Sequence, residues 1–154
     1  PPPPLFFFTQ KTAYEIRLSL VGSEMFIRDS TNTWMVGPNT MEQHILKTFE
    51  DAGKSNPTIV AGLPIVMTNN IDSARESIAK NLAVYRQQPS YRAMLNREGV
   101  EGPADLALVG DENHLFGQIK RFADMGVTDF NAAIMGVEEG AYDRTIEFLA
   151  SLKT

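Results

Sequence analysis

The side chains able to do chemistry sit beside breaks in the chain. Trp34, the only tryptophan, lies in the apolar run Thr33-Trp34-Met35-Val36, just before Gly37-Pro38. In parallel β/α proteins ligands bind at the carboxyl ends of strands. An indole there has two open roles, stacking on a planar cofactor and packing in the core. Met135-Gly136 ends a later apolar run and has the same two roles. Gly110-Asp111 opens a helical pattern, where first-turn N–H groups often hold phosphate. An acidic cap with Glu112 beside it repels phosphate, so structural capping is the plainer reading.

The remaining candidates are weaker. His44 and His114 fall on helical patterns. His114, one turn into its helix, is expected to face solvent, and His44, beside Ile45, to help pack its helix onto a sheet. Asp124 and Asp129 bracket Gly126 as turn residues. Arg86, Arg92 and Arg97 suit an anion such as a cofactor tail, but a solvated helix face near Glu98 and Glu101 is the plainer reading. No triad, glycine-rich phosphate loop or paired-carboxylate site is visible. The absence of cysteine excludes disulfides, thiolate metal sites and a cysteine nucleophile. Two histidines without helical ligand spacing offer no zinc site. A net charge of -5 argues against nucleic acid as a partner. No apolar run is long enough to span a bilayer, and the expected compartment is the cytoplasm.

These residues must be positioned by a β/α framework. At 154 residues the chain suffices for one domain, and 43% hydrophobic with 21% charged residues fits a globular core. Residues 104–135 carry the clearest pattern. Asp111 is the expected N-cap, Leu115, Phe116, Ile119, Phe122 and Ala123 form an apolar face, and Met125-Gly126 is the stop. A buried strand then runs from about Val127 to Met135. Upstream, Thr40 and Gln43 resemble a capping box, opening a helix with Met41, Ile45, Leu46 and Phe49 on one face. Residues 58–68 read as a parallel strand covered on both faces; Pro64 inside it marks a bulge, a break or an edge. Ala74, Ile78, Leu82 and Tyr85 form a buried stripe on the next helix. Ser90 caps a shorter helix over 91–97, ended by Gly99. A last helix over 138–152 turns Tyr142, Ile146 and Leu149 inward. The alternation predicts an α/β fold with a parallel sheet.

Residues 1–30 do not share this grammar. Pro1 to Pro4 precede an apolar triplet of phenylalanines, and residues 14–21 alternate like a strand. Residues 10–25 with Ile27-Arg28-Asp29 resemble the peptide read when a sequencing adapter is translated in frame at the end of an assembled read; Phe26 departs from the usual cysteine. The expectation is that residues 1–30 are a non-native arm and that residues 31–154 are the C-terminal part of a longer protein.

Several segments together resemble the luciferase-like monooxygenase superfamily, in its branch of F-420-dependent oxidoreductases. They are Thr33-Trp34-Met35 with Gly37-Pro38, Val60-Ala61-Gly62-Leu63-Pro64, Tyr85 with Pro89-Ser90-Tyr91-Arg92-Ala93-Met94-Leu95, Arg97-Glu98-Gly99, Ala104-Asp105-Leu106-Ala107-Leu108-Val109-Gly110-Asp111 and Gly126-Val127-Thr128-Asp129-Phe130. The match extends over essentially everything after Ser30.

The resemblance implies a TIM-type (β/α)₈ barrel, with this chain holding about its last three β/α units. It implies a deazaflavin coenzyme, F-420, exchanging a hydride with a small organic substrate, or alternatively FMN. Trp34, Met35, Gly37 and Met135 are the candidate cofactor-binding residues; no catalytic acid or base carries over. A partial barrel has open edges, so residues 31–154 alone are expected to be poorly soluble or to associate, while the whole protein could form a homo-oligomer. The competing reading is a non-enzymatic α/β binding domain.

Overall fold

A computed structural model describes residues 25–27 and 30–152. The strand expected over 14–21 lies outside them. The chain begins with β1 (Met25–Ile27) and β2 (Ser30–Trp34). A helix over residues 38–51, α1, follows; its middle, Met41–Leu46, is wound as a π-helix between Pro38–Thr40 and Lys47–Asp51. Then come β3 (Thr58–Met67), α2 (Ile71–Asn81), α3 (Ala83–Gln87), α4 (Pro89–Glu98) and α5 (Pro103–Leu106). The order ends with β4 (Leu108–Gly110), α6 (Glu112–Met125), β5 (Asp129–Ile134) and α7 (Ala141–Ser151). The α/β class and the parallel sheet expected from the alternation are observed.

β3 is the hub of the sheet. β2 pairs with it in parallel from Ser30↔Thr58 to Trp34↔Gly62. β4 pairs in parallel from Ile65↔Leu108 to Met67↔Gly110, and β5 from Val60↔Asp129 to Ile65↔Ile134. β1 is antiparallel to β2. β4 is a strand that the sequence pattern leaves as loop, because a three-residue apolar run carries no period. β5 is only half-buried rather than buried, and among the described residues no strand covers its outer edge.

This topology explains Pro64. The Met35 N–H donates to the Gly62 carbonyl, and the Thr68 N–H to the Gly110 carbonyl. Even-numbered residues of β3 therefore point their backbone groups toward β2 and β4. Pro64 falls where β2 has ended at Gly62 and β4 has not begun until Ile65. Its missing N–H faces a gap between partners, so no ladder bond is lost.

The core lies mainly on one face. Ile59, Ala61, Leu63 and Ile65 pack with Met41, Ile45, Phe49, Leu115 and Phe122. On the other face Val66 and Val109 pack with Ala74 and Ile78 at the carboxyl end of the sheet. Toward the amino end, Asn32, Asp129 and Asn131 share that face and are exposed. Among the described residues no helix is long and apolar enough to cross a membrane.

Several local expectations are corrected. Thr40 is not an N-cap: α1 starts at Pro38 after Gly37, and the Thr40 hydroxyl is buried with no partner among the described residues. α4 starts at Pro89, where proline sits without losing a bond, rather than after Ser90. On α6, Phe116 is 52% exposed and Ala123 is exposed; Leu115 and Phe122 carry the contact. On α7 the inward face is Ala141, Thr145 and Phe148, leaving Tyr142 and Ile146 exposed. The reason is Thr145. Its hydroxyl accepts from the Met67 N–H at 2.9 Å and donates to the Ala141 carbonyl at 2.6 Å, so the buried stripe contains a polar residue. The Asp111 cap and the Gly126 stop are as expected: the carboxylate accepts from the His114 N–H at 2.8 Å, and Gly126 has φ 112.

Candidate functional site

β2 ends in a forced turn. Met35 has φ 57, the left-handed region that side chains with a Cβ rarely adopt. Such a residue carries roughly 1–2 kcal/mol of strain. Here its N–H is bonded to the Gly62 carbonyl at 2.8 Å and its side chain is fully buried. Trp34 is therefore the last residue in the strand before a fixed reversal. Its ring lies by Gly62, where a Cβ would stand 3.2 Å from Trp34 Cε3. Tyr85 tilts against it at a centroid distance of 6.4 Å, and Tyr91 meets Tyr85 edge-on at 4.8 Å. All three rings are half-buried, an aromatic ledge beside the strand end.

Gly37 is the N-cap of α1 and has no side chain to cap with. The cap comes from α4. The Glu98 carboxylate accepts from the Asn39 N–H at 3.0 Å and from the Thr40 N–H at 2.7 Å. A helix start concentrates partial positive charge on its orphan N–H groups, so a buried carboxylate finds compensation there. Glu98 is 8% exposed and belongs to no solvated face. A Cβ at Gly37 would overlap the Glu98 carboxyl group, which explains glycine at that position.

A second, polar cleft of about 350 Å³ opens at the ends of β3 and β4, among Thr68, Asn70, Asp111, Glu112, Glu138 and Arg144. Glu138 is its hub. Its carboxylate accepts from the Thr68 hydroxyl at 2.8 Å, the Asn70 amide at 2.8 Å and the Arg144 guanidinium at 2.7 Å. The Asn70 bond, then the Thr68 bond and the nearby Arg144 charge hold its carboxyl below the ordinary range. Met135 stands close by in the chain. Its N–H donates to the Ile65 carbonyl at 2.9 Å, and its side chain packs half-buried against the Val66 cluster.

The four candidate cofactor residues thus divide. Trp34, Met35 and Gly37 are contiguous, but Met35 is turned into the core and the space at Gly37 is filled by Glu98. Trp34 alone of the three offers an accessible side-chain surface. Ile134, just before Met135, pairs three residues further along β3 than Trp34 does, on the opposite edge. From strand spacing and rise the two strand ends are roughly 14 Å apart. His44 is half-buried, and burial, with Arg97 nearby, lowers its pKa. His114 is exposed, as expected. Arg86 and Arg92 follow Tyr85 and Tyr91 and are exposed, with no carboxylate bound among the described residues. The contributions of Glu98 and Glu138 were not legible in the sequence, because Glu98 acts on Asn39 and Thr40 and Glu138 on Thr68 and Asn70, all more than fifty residues away.

Comparison of the chain with protein-family models, curated proteins and solved structures finds no match.

Proposed function

We propose that residues 31–154 are the C-terminal β/α units of a deazaflavin-dependent oxidoreductase with a TIM-type barrel, acting on a small organic substrate in the cytoplasm. The observation that carries this reading is Trp34: a half-buried indole at the carboxyl end of a parallel strand, set before a strained reversal at Met35. It is supported by the segment resemblances and by the parallel pairing of β3 with β2 on one edge and with β5 on the other. The residues present fit a planar ring. The aromatic ledge gives it a flat apolar contact, and exposed Arg86 and Arg92 suit an anionic tail better than the Asp111–Glu112–Glu138 cleft does. When bound, F-420 would supply the hydride chemistry; this chain's part is to orient the ring and shield one face from water. The test is F-420 affinity in Trp34→Ala and Trp34→Phe variants of the full-length enzyme. Loss of a stacking face is expected to weaken binding about tenfold in the alanine variant, with phenylalanine retaining most of it. Equal affinity in all three proteins rejects Trp34 as the ring contact.

A further inference from the structure

We infer that Glu98 is the positioning residue of the strand-end site; as an account of cofactor binding this rests on the reading above. α4 grips the segment from Trp34 to Thr40 at two points. At its start Tyr91 braces Tyr85, which meets Trp34. At its end, seven residues later and on the same side of the helix, Glu98 binds the Asn39 and Thr40 N–H groups. Between them Met94 and Leu95 are fully buried in the core cluster that includes Met35 and Val36. The grip is needed because Met35 is strained. A left-handed methionine relaxes toward an extended conformation unless both flanks are held. Upstream, strand pairing with β3 holds it. Downstream, the local sequence supplies no cap, since Gly37 has no side chain and Thr40 lies inside the helix. The Glu98 carboxylate is the downstream anchor, and through it α4 sets where the Trp34 ring stands.

The experiment uses the 154-residue chain, in which Trp34 is the only tryptophan. Wild type, Glu98→Gln and Glu98→Ala are compared under conditions where each is folded by far-ultraviolet circular dichroism. Acrylamide quenching of Trp34 emission and amide exchange at Asn39 and Thr40 are read. Positioning predicts quenching raised at least twofold in Glu98→Ala, with partial recovery in Glu98→Gln, which keeps one acceptor oxygen. It predicts exchange accelerated roughly tenfold or more at both amides, the loss of charge-assisted bonds. Unchanged quenching in a folded but less stable Glu98→Ala overturns the proposal and leaves Glu98 a stabilising cap only. If the alanine variant does not fold, Glu98→Gln carries the same two readings. F-420 affinity measured for the same three variants in the full-length enzyme separates the two claims. Trp34 responding to Glu98 without F-420 binding keeps the positioning role and removes the cofactor reading. F-420 binding alike to all three proteins, with quenching unchanged, does the reverse.

Discussion

The Glu98 carboxylate meets the Thr40 amide at 2.7 Å across 58 residues of sequence. A helix start that looks self-capped from its own residues is instead capped by another helix. Truncating Glu98 leaves first-turn N–H groups buried without an acceptor. Glu98→Ala is expected to lower unfolding free energy by about 2–3 kcal/mol, read from the denaturant midpoint. Gly37→Ala, which forces the carboxyl group away, is expected to cost a similar amount. Thr40→Val is expected to be neutral or stabilising within about 1 kcal/mol, because the hydroxyl it removes is buried without a partner among the described residues. A loss there as large as a missing N-cap would restore the capping-box reading.

Pro64 and Leu63 test which side of β3 carries a continuous ladder. The Pro64 position faces the gap between β2 and β4, so Pro64→Ala should change stability by less than about 1 kcal/mol. The neighbouring residue points its backbone toward β5, where the ladder is continuous from Val60 to Ile65. Leu63→Pro should remove a ladder bond and leave a buried acceptor unpaired, costing about 1–3 kcal/mol or more. Thermal melts of the two variants decide it.

The termini of α6 allow a local check. Asp111→Ala removes the acceptor of the His114 N–H and is expected to cost about 1 kcal/mol. Gly126→Ala places a Cβ at φ 112 and is expected to cost about 1–2 kcal/mol. The two sites lie at opposite ends of the helix, so their effects should add in the double variant.

Two titrations follow from the site geometry. Burial first, and Arg97 second, hold His44 below its ordinary 6.5. A lowered histidine pKa means that the unfolded chain takes up the proton first, so stability declines as pH falls through about 6.5 and levels off below the folded-state value. Arg97→Gln should raise the His44 midpoint in a nuclear magnetic resonance titration, but leave it below 6.5, since burial is the larger cause. Glu138 behaves with the opposite sense. Its depressed carboxyl contributes stability above its ordinary 4.5, and that contribution is lost as pH falls through the folded-state value. Asn70→Ala removes the largest single cause and Arg144→Gln removes both a charge and a hydrogen bond, so each should raise the Glu138 midpoint.

What was legible in the sequence follows the range of the interactions. The Asp111 cap, the Gly99 and Gly126 stops and the β3 strand depend on neighbours within one turn or one run, and the sequence pattern finds them. Thr145 defeated the α7 pattern because a hydroxyl serving the Met67 N–H takes an inward position that periodicity reserves for apolar residues. β4 was too short to show a period. The site divides in the same way. Trp34 could be singled out by its type and its place before Gly37-Pro38. The partners that fix its surroundings, Glu98, Tyr91 and Gly62, come from other elements and leave no local mark.

The proposed site sets a deazaflavin ring against Trp34. The first measurement is to titrate F-420, and separately FMN, into wild type and Trp34→Ala of the protein expressed from the intact gene, following ring fluorescence. Saturable F-420 binding that is weakened by Trp34→Ala and is not competed by FMN is expected. A folded protein that binds neither, or that binds F-420 equally well as Trp34→Ala, is the opposite result.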